Sequence, residues 1–315
     1  MTQLTRNEAA AWLKTRDRFC ILTHRRPDGD TVGSGAALCR GLRQLGKKAW
    51  VLENPEVTEK YAPFLTELCK PAWEEGDVIV CVDVASSNML PEAFAHLEEK
   101  IALRIDHHRG AESFTELEMV DPAAAACGQI IYDILAEMGV KLDVPMANAL
   151  YTAIATDTGC FRYHNTHPHT FEVAAKCAAV SSELFNLNQM LFETNSFARL
   201  KIQSWMTENA RFYGEGQICI CALPLEVEKE IGVTEDDMEN ISGFPRTIAG
   251  VKIAATLRQQ NDGIVKLSVR AVPGYDASAV CAKFGGGGHR GAAGASINLP
   301  LEEAAAAVLA AMPEI

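Results

Sequence analysis

The chain has 315 residues, 48% of them hydrophobic and 22% charged, an ordinary globular composition at a length that favours two domains. Its formal net charge of −12 argues against a broad basic platform for long nucleic acid, though it leaves room for a short nucleotide in a local pocket, and bound divalent cations would offset several acids. No apolar run is long enough to span a membrane, and the N-terminus from Met1 to Glu8 lacks a signal-peptide pattern, so the cytoplasm is the expected location.

Thr5 with Glu8 reads as a capping box before a helix over Ala9–Lys14. Phe19–Thr23 reads as a strand, followed by the turn-like Asp28-Gly29-Asp30 and a helix over Gly33–Leu45. Trp50–Leu52, Val78–Val84 and Leu103–Ile105 are apolar runs suited to a buried parallel sheet. Pro91–Lys100, Gln129–Met138 and Met146–Ala155 read as helices between or after them. This alternation predicts a doubly wound α/β domain over residues 1–181, in which ligands bind beyond the carboxyl ends of the strands. Residues 182–211 read as a connecting helix. Beyond them, Gln217–Ala222, Val251–Arg258 and Val265–Ala271 read as antiparallel strands, the last two joined through Asn261-Asp262-Gly263. With helices over Ala277–Phe284 and Leu301–Ala311 they form a smaller α+β domain, 212–315. The ten cysteines include no CxxC pair and read as small buried apolar residues, Cys219 and Cys221 on one strand face.

Chemistry gathers at strand ends. His24-x3-Asp28-x-Asp30 follows the first apolar strand, Asp83 ends another, and Asp106-His107-His108 ends a third. Asp157 lies in Thr156-Asp157-Thr158-Gly159-Cys160-Phe161. Carboxylates with imidazoles suit Mn²⁺, Mg²⁺ or Fe²⁺ better than structural zinc. Two such ions about 3.5–4 Å apart serve in-line phosphoryl displacement, and Asp83 is the natural bridging ligand. Each motif alone also fits a bland role: a solvated turn at Asp28–Asp30, a helix cap at Asp157, a hydrogen-bonded pair at His107-His108. Their joint occurrence favours the metal reading. In the second domain, Gly285-Gly286-Gly287-Gly288 lets backbone N–H groups approach an anion. His289 follows as a donor, and Arg270 projects from a neighbouring strand. His164, His167 and His169 read as surface or capping residues, and Asn165 and Thr166 as turn and N-cap positions.

These motifs, with His24-Arg25-Arg26-Pro27-Asp28-Gly29-Asp30 and Gly285–Gly294, resemble the DHH/DHHA1 phosphoesterases of the nanoRNase and pAp-phosphatase branch along nearly the whole chain. The resemblance implies a parallel-sheet DHH domain, a helical linker and a DHHA1 substrate domain. It implies two divalent ions, usually Mn²⁺, one on His24, Asp28 and Asp83, the other on Asp30, Asp83, His107 and Asp157. It places His108 at the scissile phosphate, with Asp106 orienting its neighbours, and puts the substrate on Arg270, Gly286, Gly287, Gly288 and His289, with Lys283 and Arg290 nearby. The implied substrates are short RNA oligonucleotides, cut to mononucleotides, and adenosine 3′,5′-bisphosphate, converted to AMP. Linear or cyclic dinucleotides are the alternative, and a RecJ-like exonuclease a more distant one. A monomer or a homodimer fits equally. Two features depart from the pattern: Arg109-Gly110-Ala111 follows the histidines where relatives often place Asn, and Gln129 stands where they often place Glu.

Overall fold

A computed structural model describes residues 2–108 and 113–313. Arg109, Gly110 and Ala111 lie outside the described residues. The chain divides into two compact units, Met1–Thr194 and Asn195–Ile315. No helix among the described residues is long and apolar enough to cross a membrane.

The first unit is built on a seven-stranded sheet of β1 (Thr2–Gln3), β2 (Phe19–Leu22), β3 (Ala49–Leu52), β4 (Cys69–Lys70), β5 (Val78–Val82), β6 (Ile101–Asp106) and β7 (Leu117–Val120). The spatial order is β1-β7-β6-β5-β2-β3-β4, and every pairing is parallel. The chain winds outward from β2 to one edge, then resumes at β5 beside β2 and proceeds the other way. The loops leaving β2 and β5 therefore part at a topological switch point, where such sheets open a crevice.

Strand alternation fills a core on each face. Phe19, Ile21, Val51, Val80, Val82, Leu103 and Ile105 face one cluster, and Cys20, Leu22, Leu52, Ile79 and Cys81 the other, as the two-residue period requires. The first cluster is covered by α1 (Arg6–Lys14), α2 (Gly29–Gln44), α3 (Cys127–Glu137), α4 (Val144–Asp157) and α5 (Pro168–Val180). The second is covered partly by a 3₁₀ stretch, Glu92–Lys100, where the sequence predicted a regular helix. The capping box at Thr5 and Glu8 is present.

One expected boundary moves. α2 begins at Gly29 rather than Gly33, with Asp28 as its N-cap, so Asp28-Gly29-Asp30 is the first turn of a helix and not a free turn. α2 and α4 run against each other at close range. A Cβ on Gly33 would lie 2.3 Å from the Ala149 carbonyl oxygen, so only glycine permits this approach. The contact lays the first turn of α2 beside the last turn of α4, which ends at Asp157.

Residues 182–211 are not one helix. α6 (Leu184–Asn188) and a π-turn over Gln189–Glu193 belong to the first unit, and α7 (Phe197–Glu208) to the second. The break has a local cause: Ser196 caps α7, accepting from the Arg199 amide at 2.9 Å.

The second unit holds a mixed sheet of β8 (Arg211–Tyr213), β9 (Ile218–Leu223), β10 (Ile253–Gln259), β11 (Val265–Ala271), β12 (Gly287–His289) and β13 (Ala292–Ile297), in the order β12-β13-β11-β10-β9-β8. The β10–β11 hairpin turns at Asn261-Asp262-Gly263 as expected. The β9–β10 pair is parallel, against the antiparallel expectation. Residues 224–252 between them carry α8 (Leu225–Ile231) and α9 (Glu235–Met238), a connection long enough for a crossover. α10 (Ala277–Ala282) and α11 (Leu301–Ala311) pack on this sheet. All ten cysteines are unpaired; Cys69 is exposed and Cys160 half-buried, the rest buried.

Candidate active site

Three adjacent strands and two helix ends deliver the predicted acids and imidazoles to one place. His24 follows β2, and Asp28 and Asp30 open α2. Asp83 follows β5, Asp106 ends β6 with His107 and His108 after it, and Asp157 ends α4. The carboxylate of Asp83 sits between the histidines. Its Oδ2 is 3.6 Å from His24 Nε2, and its Oδ1 is 3.6 Å from both His107 Nε2 and His108 Nδ1. His24 Nε2 is also 3.5 Å from Asp28 Oδ1. His107 Nε2 is 3.8 Å from Asp30 Oδ2 and 3.7 Å from Asp157 Oδ2.

Three ligand-type clusters result: His24-Asp28-Asp83, Asp30-His107-Asp157 and Asp83-His107-His108. The second ring nitrogen of His24 and of His107 is tied to backbone. His24 Nδ1 donates to the Arg25 carbonyl at 2.7 Å, and His107 Nδ1 to that of Ala124 at 3.3 Å. Both Nε2 atoms are thereby turned toward the carboxylates, the arrangement found around metal-binding histidines.

The donor set fits divalent cations. Asp83 Oδ1 is buried and accepts no hydrogen bond, which is costly for a carboxylate unless a cation takes the lone pair. Burial, then repulsion from Asp83, Asp157 and Asp28, drives the Asp30 carboxyl well above its ordinary range. Loss of water around Asp157 raises its carboxyl to about 6, against the pull of His107 and with the push of Asp83. Positive charge placed among these acids relieves both.

His108 is a different kind of residue. Its Nδ1 donates to Asp106 Oδ1 at 2.7 Å, and its side chain is 29% exposed. Burial pulls its imidazole down, but Asp106, Asp83 and Asp157 outweigh that and raise it to about 9. In the metal-free site these carboxylates favour the protonated imidazole, a hydrogen-bond donor.

Several supporting residues escaped the sequence reading. Asp30 accepts from the Cys127 amide at 2.7 Å, the Gly128 amide at 2.8 Å and Ser34 Oγ at 3.0 Å. Asn165, expected as a turn residue, donates through Nδ2 to Asp157 Oδ2 and O at 3.2 Å and to the Ala125 carbonyl at 2.9 Å. Asn54 Nδ2 holds the His24 carbonyl at 3.0 Å. An asparagine eight residues beyond Asp157 carries no local signature; folding alone brings it back. The N-cap of α5 is His167, and His169 pairs with Asp133 and Glu172 at 2.9 Å each, away from the carboxylate cluster. Gln129 is buried and accepts from Thr170 Oγ1 at 3.2 Å.

In the second unit, Arg270 and His289 both stand opposite Ala292, on β11 and β12 flanking β13. Residues paired across antiparallel strands share a face, so the guanidinium of Arg270 and the imidazole of His289 lie on one side, their strands about 10 Å apart. Gly287, Gly288 and His289 form β12, so the glycine run is partly strand rather than an open loop, and His289 is exposed. Gly288 adopts φ +143°, and a Cβ there would meet the Ala292 carbonyl oxygen at 2.7 Å. Lys283 is engaged with the Ala311 carbonyl at 2.8 Å, and Arg290 with Asp276 at 3.1 Å.

Known proteins share this organisation. Residues 18–154 match the DHH family, N-terminal domain, and residues 215–315 match the DHHA1 domain. The chain is 34% identical over 298 residues to the bifunctional oligoribonuclease and PAP phosphatase NrnA of Thermus thermophilus, covering 93% of this chain and 89% of that one. It is 28% identical over 289 residues to the protein of the same name from Bacillus subtilis, covering 89% and 90%. The crystal structure of an exopolyphosphatase-related protein from Bacteroides fragilis has the same fold, with a TM-score of 0.83 at 23% identity over 97% of this chain and 94% of that one. Matches to both domain families, with a relative 34% identical over 93% of the chain, establish that the chain belongs to the DHH/DHHA1 family.

Proposed function

We propose that the chain is a divalent-metal-dependent phosphohydrolase of short nucleotides. It cuts oligoribonucleotides of about two to five residues to mononucleotides and removes the 3′-phosphate of adenosine 3′,5′-bisphosphate. The observation that carries the reading is the place of Asp83, which belongs to two ligand clusters and presents a buried oxygen with no hydrogen-bond donor. Relatives named as bifunctional oligoribonuclease and PAP phosphatase support the substrate class.

In this proposal His24, Asp28 and Asp83 hold one ion, and Asp30, Asp83, His107 and Asp157 the other, Mn²⁺ in first place and Mg²⁺ or Fe²⁺ also compatible. Such ions, when bound, activate water and stabilise charge on phosphoryl oxygens. His108, held by Asp106 with its proton-bearing Nδ1 turned inward, donates from Nε2 to a phosphoryl or leaving oxygen. Arg270 and His289, on one face of the second sheet, grip the remaining phosphate or the nucleotide. Gly286, Gly287 and Gly288 offer amides without obstruction. The division of labour is part of the proposal: residues 1–181 for the metals, 212–315 for the substrate, 182–211 joining them.

The test is Mn²⁺-dependent turnover of a 5′-labelled dinucleotide, a pentanucleotide, a 24-residue RNA and adenosine 3′,5′-bisphosphate, with Asp83→Ala as blank. Turnover of the short substrates and the bisphosphate, with the long RNA spared, is the expected result. Preference for the long RNA would overturn the reading in favour of an exonuclease. Turnover confined to cyclic dinucleotides, added as a control, would move it to that substrate class.

A further inference from the structure

Arg104 is among the largest fully buried side chains of the described residues, 1% exposed. It stands on β6 in register with Glu118 of β7, itself 4% exposed, and its Nη2 lies 3.1 Å from Glu118 Oε2. Replacing such a pair by apolar side chains is often neutral or stabilising, because desolvation costs several kcal/mol per ion. Stability alone therefore does not account for it.

Its other contacts do. Arg104 Nη1 donates to the Ala85 carbonyl at 3.0 Å, two residues beyond Asp83. Asp83 has φ +60°, a left-handed conformation that a residue with a side chain adopts only when its neighbours hold it. Before the bend, the Asp83 amide donates to the Ile105 carbonyl at 2.9 Å, and Thr31 Oγ1 donates to the Val82 carbonyl at 2.9 Å. After it, Arg104 anchors the chain through the Ala85 carbonyl. Glu118 also collects the segment that follows the two histidines. Its Oε1 accepts from Ser113 Oγ and from Thr115 Oγ1, while the Phe114 ring lies 5.1 Å from the Arg104 guanidinium. A guanidinium holds its donors in a rigid planar fork, here Nη1 on the carbonyl and Nη2 on the carboxylate; an ammonium is a compact point charge on a flexible stem and does not fix that geometry.

We propose that the Arg104–Glu118 pair is a positioning element that fixes the left-handed bend at Asp83 and so sets the affinity of the metal centre. This rests on the reading of Asp83 as a metal ligand. The experiment is Mn²⁺ titration followed by electron paramagnetic resonance, without substrate, on the full chain. Wild type is compared with Arg104→Lys and Arg104→Met/Glu118→Met, with Tm and steady-state kinetics alongside. Both variants are expected to bind Mn²⁺ about 10–100-fold more weakly, the scale for residues that orient ligands. Their kcat at limiting metal should fall while KM stays within about twofold. A variant with lower Tm but wild-type Mn²⁺ affinity would make the pair merely structural and overturn the proposal. Should the double variant fail to fold, Arg104→Lys decides, because it keeps the charge and loses the fork. Wild-type protein that takes up no Mn²⁺ would overturn the metal reading itself, a failure distinct from unaltered binding in the variants.

Discussion

The carboxylate of Asp30 caps a helix to which it does not belong: Oδ2 accepts the amide of Cys127 at 2.7 Å at the first turn of α3. The N-cap position of α3 is Ala126, whose side chain cannot cap. Asp30 supplies what Ala126 lacks, and the helix N-terminus in turn favours its negative charge. In the proposed metal centre Asp30 therefore serves fold and metal together. Asp30→Ala should lower the unfolding free energy of chelated protein by about 1–2 kcal/mol, with a lower Tm, as well as abolish Mn²⁺ uptake. Asp157→Ala should lose Mn²⁺ affinity with no such loss of Tm. Equal calorimetric stability of the two variants would refute this division.

Asp83 must be both negative and left-handed. Asn tolerates that backbone conformation well but is a poor bridging ligand. Asp83→Asn should fold, with a Tm in chelator at or above wild type, because one of the clustered charges is gone. Turnover should fall by more than about a hundredfold, beyond the range for residues outside the ligand set. Turnover within tenfold of wild type would sink the bridging role.

Asn165 reaches Asp157 and the Ala125 carbonyl from one amide nitrogen. Asn165→Ala should weaken Mn²⁺ binding by about 10–100-fold and leave KM for a dinucleotide at saturating Mn²⁺ nearly unchanged. Calorimetric titration of Mn²⁺ with unaltered affinity would exclude a supporting role.

Ala292 stands in register between Arg270 and His289, a small side chain in the gap that separates their strands. Ala292→Leu should fill it, raising KM for adenosine 3′,5′-bisphosphate about tenfold or more while Mn²⁺ affinity stays at wild type. Gly288→Ala should instead destabilise the β12–β13 hairpin, since its new Cβ would meet the Ala292 carbonyl. An unchanged KM in Ala292→Leu would remove Arg270 and His289 from the substrate site.

The Asp106–His108 bond makes stability depend on pH. His108 is raised to about 9 in the folded protein, from about 6.5 in an unfolded chain. A raised imidazole contributes its stability fully below the unfolded value and loses it as pH climbs through the folded one. Metal-free protein should lose Tm between about pH 6.5 and 9, with His24, also raised, contributing in the same direction. The His108 share is at most about 3.5 kcal/mol, from about 1.4 kcal/mol per pKa unit, and solvent at a side chain 29% exposed reduces it. Asp106→Asn should flatten the slope; an identical slope in calorimetry across that range would disprove the assignment.

The sequence by itself determined the alternation of strands and helices, the strand ends that carry chemistry, and the β10–β11 hairpin. Those features are written in short-range patterns: apolar period, turn residues, spacing within a motif. The same short range misled at Asp28-Gly29-Asp30, because a helix N-cap and a turn share residue types. It misled again at β9–β10, where strand direction depends on the whole connection over residues 224–252 and not on the strands themselves.

Tertiary structure alone decided which groups meet. Asp157 reaches Asp30 because Gly33 lets α4 lie against α2, and Asn165 reaches Asp157 because the chain turns back before α5. The amides of Cys127 and Gly128 find Asp30 because α3 lacks a cap of its own, and Arg104 finds both Glu118 and Ala85 because β6 lies between β5 and β7. Each contact joins segments distant in sequence, and its strength depends on burial and geometry. Local pattern names the candidates, and packing in a low-dielectric interior selects their partners.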